Sequence, residues 1–197
     1  MKMMRVISAV FLLGFLITCA GSLALNSVVI LPATVSISPG ATQQFEALGF
    51  FNDGSNHDIT TQVTWTSSDT TVATIDSTGL ATGSSLGTTT IQAISGTPGS
   101  YPAGNTGTAV LVVVPAIIVI TGNAVISAGT TENLTATGTD ANGTPIADIT
   151  TKVAWSSSNT SVVTVDSSGL VAAHQGGTVT ITAVLGTVSG TFSLTVD

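Results

Sequence analysis

Charged side chains are scarce in this sequence. Of 197 residues, 7% are charged, with three Lys and Arg against ten Asp and Glu. Two of the cations, Lys2 and Arg5, lie at the N-terminus, so the remaining chain has Lys152 alone against ten acids and a formal charge of −9. Binding to nucleic acid or to anionic lipid headgroups needs clustered Lys and Arg. The composition therefore excludes both as electrostatic partners.

Cysteine is nearly absent as well. The only one is Cys19, so no internal disulfide can form. The chain is nevertheless 43% hydrophobic, unlike a disordered sequence, which combines high charge with few apolar residues. Its length allows a leader and about two domains of roughly 90 residues, each large enough to bury its own core.

The N-terminus resembles a secretory signal, because Lys2 and Arg5 precede an uncharged apolar run over residues 6–17. Leu16-Ile17-Thr18-Cys19 resembles the lipobox of bacterial lipoproteins, although that motif usually has Gly, Ala or Ser at the position of Thr18. The resemblance implies cleavage after residue 18 and lipid attachment at Cys19. We therefore predict export to the cell surface or beyond, with a lipid anchor.

Two alternatives for the leader stay open. Ser22-Leu23-Ala24 is an ordinary cleavage site, which would release the protein. Residues 6–25 are also about long enough to span a bilayer as an uncleaved anchor. In every case the membrane is contacted only through the N-terminus, and in both cleaved cases Cys19 is not a catalytic thiol.

The rest of the chain has the pattern of short β-strands. Runs rich in Val, Ile, Thr and Phe are separated by Gly, Asn, Asp and Ser clusters at close spacing, which favours an all-β sandwich or barrel. Phe45, Ala47 and Gly49 fall on one face of a strand, and Val63 and Trp65 on one face of another. We expect Trp65 to fill a core.

One stretch occurs twice. Val63-Thr64-Trp65-Thr66-Ser67-Ser68 returns as Val153-Ala154-Trp155-Ser156-Ser157-Ser158, and the residues after each follow the same pattern at an offset of 90. A repeat of that period indicates two copies of one domain. We predict a signal peptide over residues 1–18, a short tether over 19–27, and domains over 28–114 and 115–197, with almost no linker between them.

The repeated pattern resembles the group 2 bacterial immunoglobulin-like domain, which is found in intimin- and invasin-like adhesins. The matching residues in the two copies are Trp65, Ser67, Ser68, Val72, Ile75, Asp76, Gly79, Leu80, Gly87, Thr88, Ile91 and Ala93, and then Trp155, Ser157, Ser158, Val162, Val165, Asp166, Gly169, Leu170, Gly177, Thr178, Ile181 and Ala183. The resemblance implies two tandem immunoglobulin-like β-sandwiches of about seven strands each. It does not imply a ligand, since this fold carries unrelated functions.

The resemblance implies a surface stalk or adhesion module. We expect a non-enzymatic protein whose partners are other surface proteins, polysaccharide or itself. An alternative is a subunit of an extracellular fibre that assembles by β-strand addition. It rests on the apolar strand Val28-Val29-Ile30-Leu31 and on Val110 and Val112, which occupy outward positions where the second copy has Ser193 and Thr195. Contact of Val110 and Val112 with the neighbouring domain or with the N-terminal Val28-Val29-Ile30-Leu31 strand is the simpler explanation of this outward apolar face.

A second alternative is a small carbohydrate-binding module. Phe50, Phe51 and Tyr101 form an aromatic set that the second copy lacks, since Thr139 and Asp140 replace the two Phe residues. Strand alternation allows only one of the adjacent Phe side chains to be buried. The other then lies at the surface as a contact patch or lies under the loop that contains Tyr101.

Candidate chemistry is limited. His57 and His174 occupy non-equivalent positions in the two copies, and no Gly-x-Ser-x-Gly nucleophile motif is present. We therefore expect no enzymatic activity and no cofactor. Calcium is a weak candidate metal at the pairs Asp53 with Asp58 and Asp140 with Asp148, because two carboxylates are few for that ion. Asx turns explain the same residues.

Overall fold

The computed structural model describes residues 23–96 and 104–197. Every regular element in these two ranges is a β-strand, and no helix within them is long and apolar enough to cross a bilayer. The predicted signal peptide, Cys19 and Tyr101 lie outside the described residues.

The strands form two series of ten with the same order. The first comprises β1 (Leu25–Leu31), β2 (Thr34–Ile37), β3 (Thr42–Gln44), β4 (Glu46–Phe51), β5 (Asn56–Asp58), β6 (Val63–Ser67), β7 (Ala73–Ile75), β8 (Leu80–Gly83), β9 (Gly87–Ser95) and β10 (Thr106–Val113). The second comprises β11 (Ile117–Thr121), β12 (Val125–Ile126), β13 (Thr131–Asn133), β14 (Thr135–Thr139), β15 (Pro145–Asp148), β16 (Ala154–Ser157), β17 (Val163–Val165), β18 (Leu170–Ala173), β19 (Gly177–Leu185) and β20 (Val188–Val196).

Sheet topology is the same in both series. The first has the strand orders β1-β4-β5, β2-β10-β9-β6 and β3-β8-β7, and adding ten to each number gives the three sheets of the second. This confirms the predicted all-β fold of two tandem immunoglobulin-like sandwiches. β1 begins at Leu25, three residues before the predicted start of the first domain.

Each series has ten strands and not about seven, because two long segments change sheets midway. β1 pairs with β4, and β2 pairs in parallel with β10, with Pro32 between them. Proline has no N–H to donate to a ladder, so the pairing is interrupted there. Similarly, β3 pairs with β8, whereas β4 pairs with β1 and β5. The change of sheet falls at Phe45, whose N–H donates to the Gly79 carbonyl at 2.8 Å.

The alternation predicted for the strands is seen in the two cores. Phe45 and Ala47 are fully buried, Val63 and Trp65 are buried, and so are Ile91 and Ala93 on β9. In the second sandwich the inward residues Val179, Ile181 and Ala183 are buried while Thr178 and Thr180 are exposed.

Both tryptophans fill equivalent places beside a glycine. The indole Nε1–H of Trp65 donates to the Thr60 carbonyl at 2.8 Å, and that of Trp155 donates to Thr150 at 2.8 Å. Trp65 is 7% exposed, and Trp155 is partly buried against the second core. A Cβ on Gly79 would lie 3.1 Å from Cζ2 of Trp65, so the absence of a side chain there lets the indole pack.

Candidate functional site at the joint between the sandwiches

The link between the two sandwiches is only three residues long, from 114 to 116. β10 ends at Val113 and β11 begins at Ile117. The Val114 N–H donates back to the Ile37 carbonyl in the first sandwich at 2.9 Å, and the Ala116 N–H donates forward to Thr139 in the second at 3.0 Å. The link is therefore bonded into both sandwiches.

Side chains reinforce the link from both sides. Leu86, in the loop between β8 and β9, packs against both hydrophobic cores. Val114 is 5% exposed, and a Cβ on Gly186, in the β19–β20 hairpin, would lie 3.0 Å from its Cγ1. Gly186 has a φ of +60°, a conformation that favours glycine. The hairpin of the second sandwich thus fits closely against the end of the first.

A cleft of about 440 Å³ lies at this joint, within the size range of small-molecule sites. Its walls are mostly aliphatic, and its one charged group is Lys152, the only Lys or Arg of the described residues. The lining residues are Leu86, Gly87, Thr88, Val112, Val113, Val114, Lys152, Leu185 and Gly186. They include no carboxylate, imidazole or thiol.

The sequence pattern predicts the short link and contact of the outward Val112 with the neighbouring domain, and Val112 does line the joint, but Leu86 and the β19–β20 hairpin were not predicted as its other parts. The signal was present in Leu86 and Val114, apolar residues at positions where a β-sandwich normally has a solvated loop. Only the docking of the β19–β20 hairpin shows what covers them.

The residues predicted for self-association lie on strands that contact each other. Val110 is 38% exposed and points outward, as predicted, and Val112 is partly buried. β10, however, lies between β2 and β9, so its backbone is paired on both sides from Val110 to Val113. On β1, Val28 and Ile30 are buried and Val29 is 40% exposed.

The unpaired edge of β1 faces β10. A Cβ on Gly107 of β10 would lie 2.9 Å from the Val28 carbonyl oxygen, and in the second sandwich a Cβ on Gly190 of β20 would lie 2.4 Å from the Ile118 carbonyl oxygen. Glycine allows the two sheets to meet backbone to backbone at this corner. Little of the β1 edge is left for strand addition, and self-association stays a prediction.

The aromatic residues occupy opposite faces of β4. Phe51 is 3% exposed and its ring lies edge-on to His57, with centroids 5.4 Å apart, whereas Phe50 is 38% exposed. The structure thus buries one of the two, as alternation requires. Their use as a contact patch with Tyr101 stays a prediction.

The four aspartates weighed as calcium ligands close local turns. Asp53 accepts the N–H and the hydroxyl of Ser55, Asp58 accepts the N–H of Thr60, Asp140 accepts the N–H groups of Asn142 and Thr144, and Asp148 accepts the N–H and the hydroxyl of Thr150. These bonds lower the pKa of each carboxyl. Within residues 23–96 and 104–197, no three His, Cys, Asp or Glu side chains lie together as a metal site would require.

The duplicated sandwich topology defines a tandem immunoglobulin-like protein. The family model described as "Bacterial Ig-like domain (group 2)" matches residues 24–103 and 113–196. The chain belongs to that family.

A curated relative is ice-binding protein 1 of Shewanella frigidimarina, which is 40% identical over 174 residues. The match covers 87% of this chain and 19% of the relative, so the chain spans about a fifth of that protein's length. Among solved structures, domains 5–6 of the S-layer protein SbsC share 24% identity at a TM-score of 0.37, with 88% of this chain and 98% of that chain covered. Invasin, a bacterial integrin-binding protein, shares 17% identity at a TM-score of 0.45, with coverages of 87% and 38%.

Proposed function

We propose that this protein is a non-enzymatic, exported spacer in which two immunoglobulin-like sandwiches form one stiff unit, anchored to the bacterial envelope through lipid on Cys19. The observation that carries the proposal is the joint, where the Val114 and Ala116 N–H groups are bonded to opposite sandwiches. A spacer transmits position and force only if its modules keep their relative orientation.

Bending at the joint has an energetic cost. It would expose Leu86, which packs against both cores, and Val114, which is 5% exposed beside the β19–β20 hairpin. When fully buried, aliphatic side chains such as that of Val114 contribute about 1.5–3 kcal/mol each, and the partly buried Leu86 contributes a share of that. Together they exceed thermal energy several times, which supports a single preferred orientation.

Export and anchoring are supported by the leader sequence, in which Lys2 and Arg5 precede an uncharged apolar run. The partners of such a unit are other surface proteins or polysaccharide, brought within reach by the spacer. Intact mass of the protein purified from its native membrane tests the anchor: a mass that corresponds to Cys19 as a diacylated or triacylated first residue supports it. A free N-terminus at Leu25 contradicts it.

Pulsed EPR tests the stiffness. Nitroxide labels on T108C and T180C, both exposed positions, report one distance across the joint in a C19A background. We expect a narrow distance distribution that broadens when Gly-Ser-Gly-Ser is inserted after Val114. A distribution that is already broad without the insertion contradicts the spacer.

A second candidate is binding to ice, because the outer face of β19 and β20 presents a regular hydroxyl array. Thr178, Thr180 and Thr182 lie opposite Thr195, Ser193 and Thr191. Neighbouring strands are about 4.8 Å apart and alternate residues about 6.8 Å apart, so these six hydroxyls form an uncharged grid. Such a grid can bond to an ordered layer of water, and the relative in Shewanella frigidimarina is named for ice binding.

Thermal hysteresis of the protein tests this candidate. A measurable hysteresis that T180K abolishes and T108K, on the first sandwich, leaves unchanged would support it. No hysteresis in the unsubstituted protein would exclude ice binding by this chain and leave the spacer as its function.

A further inference from the structure

Two apolar residues on the first sandwich's side of the joint, Leu86 and Val112, are not repeated in the second copy. Leu86 corresponds to Gly176 at the offset of 90. Val112 and Val113, which lie opposite Thr88 and Gly87 on β9, correspond to Thr195 and Val196, which lie opposite Thr178 and Gly177 on β19. The second sandwich therefore lacks both Leu86 and Val112 at its own far end.

The other side of the joint differs between the copies in the same way. Leu185, in the β19–β20 hairpin, corresponds to Ser95 of the first sandwich, and Lys152 corresponds to Gln62. The end of the second sandwich that faces the joint thus has an apolar side chain where the first sandwich has a small polar one. Leu86, Val112 and Leu185 therefore have no apolar counterpart in the other copy, whereas Gly87, Thr88 and Val113 recur as Gly177, Thr178 and Val196.

A head-to-tail interface between like modules propagates without limit unless the terminal module differs. Repeat proteins solve this with terminal modules whose outer face is polar. The far end of the second sandwich has that character, since its loop His174-Gln175-Gly176 is exposed. The corresponding loop in the first sandwich ends in Leu86, which packs against both cores.

We infer that the joint pairs two different ends of the domain: the end of the first sandwich that carries Leu86 and Val112, and the end of the second that carries Leu185. The second sandwich cannot form the same joint at its own far end, where its C-terminal strand finishes. The partner that fits the far end of the first sandwich is a module with an apolar β19–β20 type hairpin. The far end of the second sandwich takes no immunoglobulin-like neighbour through this joint, and copies of the chain do not stack end to end. The inference rests on the proposed spacer, because it concerns the joint that makes the spacer stiff.

A three-module chain tests the inference. Residues 115–197 are duplicated directly after Asp197, so that the new module follows the second sandwich with the same absence of linker. Pulsed EPR compares the original joint, labelled at T108C and T180C, with the new joint, labelled at T180C and its counterpart in the added module. We expect a narrow distribution for the original joint and one at least twice as wide for the new joint.

Replacing residues of the second sandwich by their counterparts from the first should then create a joint between the second sandwich and the added module. The pair G176L and T195V restores the apolar residues, and a Cβ on Gly176 meets its nearest neighbour, the Val196 carbonyl oxygen, at an ordinary 3.6 Å. We expect this pair to narrow the new distribution and the matched pair G176S and T195S to leave it wide. A new joint as narrow as the original without substitution would overturn the inference alone. A broad original joint would overturn the spacer as well.

The unmodified protein supplies a second measurement. Light scattering coupled to size exclusion should give the monomer mass at all concentrations up to the millimolar range. Concentration-dependent growth that L185S abolishes would show that the joint propagates between copies and would contradict the inference.

Discussion

At the residue scale, each sandwich has an equivalent glycine beside its tryptophan: Gly79 beside Trp65 and Gly169 beside Trp155. Gly79 and Gly169 both have a φ of +81°. A Cβ at these positions would lie 2.6 Å from the Phe45 carbonyl oxygen and 2.5 Å from the Leu134 carbonyl oxygen, respectively. Both the backbone conformation and the space exclude a side chain, which explains why the repeated motif contains glycine there.

We expect G79A to lower the free energy of unfolding by about 3 kcal/mol or more, because it adds steric overlap with backbone to a left-handed conformation. G54A is the matched control, since Gly54 has a φ of +85° and nothing within 4 Å of its Cβ position. It should cost about 1 kcal/mol for the conformation alone. Urea unfolding followed by tryptophan fluorescence measures both, and equal losses would contradict the packing argument.

The aspartates of the turns predict a pH dependence. The side chain and then the backbone N–H of Thr78 lower the pKa of Asp76, and Ser168 lowers the pKa of Asp166 in the same way. A carboxyl whose pKa is lower in the folded state stabilises the protein above its unfolded pKa, which is about 3.9, and loses that contribution as the pH falls through the folded value.

We therefore expect stability to be level between about pH 5 and 8 and to fall below about pH 4. D76N should reduce the slope of stability against pH in the acid range, because the amide does not titrate. Urea midpoints at successive pH values measure this slope. An acid slope that D76N leaves unchanged would mean that other carboxyls dominate it.

At the scale of elements, the corner where β20 meets β11 depends on a residue without a side chain. Gly190 is buried, and a Cβ there would approach the Ile118 carbonyl oxygen to 2.4 Å. Its φ does not lie in the left-handed region, so any effect of a substitution reports the contact between strands and not backbone strain.

G190A should destabilise the second sandwich by about 1–3 kcal/mol, the usual cost of overpacking. G107A in the first sandwich should cost less, because its Cβ position is 2.9 Å from the Val28 carbonyl oxygen. The exposed neighbour Ser189 provides a control through S189A. Chemical unfolding of the three variants gives the order, and a G190A protein as stable as S189A would show that the strands can separate without loss.

Alternation within each strand was predictable at this scale, because one buried face imposes a period of two. Phe45, Ala47, Ile91 and Ala93 show it directly. The change of sheet at Phe45 was not predictable, since a strand that pairs first with β8 and then with β1 has the same apolar pattern throughout. The choice of hydrogen-bond partner is not contained in that pattern.

At the scale of the whole molecule, the joint predicts coupling between the sandwiches. L86A removes the one side chain that packs against both cores and should lower the free energy of unfolding by about 2 kcal/mol. It should also speed amide hydrogen exchange at Val114 and Ala116, which lie in the link between the sandwiches, while Ile181 stays protected. L80A is the control, because Leu80 is 36% exposed and lies outside the cleft lining.

Exchange at Val114 and Ala116 that is the same in L86A and L80A would contradict the coupling. NMR-detected exchange resolves these amides individually.

The sequence by itself determined the tandem repeat, the all-β fold and the inward residues of each strand, because these depend on short-range periodicity that repeats at a fixed offset. The tertiary structure decided that β10 is an interior strand, that the β1 edge is covered at Gly107, and that Leu86 belongs to two cores at once. Those features depend on contacts between residues far apart in the chain. Such contacts depend on the complementary shapes of folded surfaces, which local sequence periodicity does not determine.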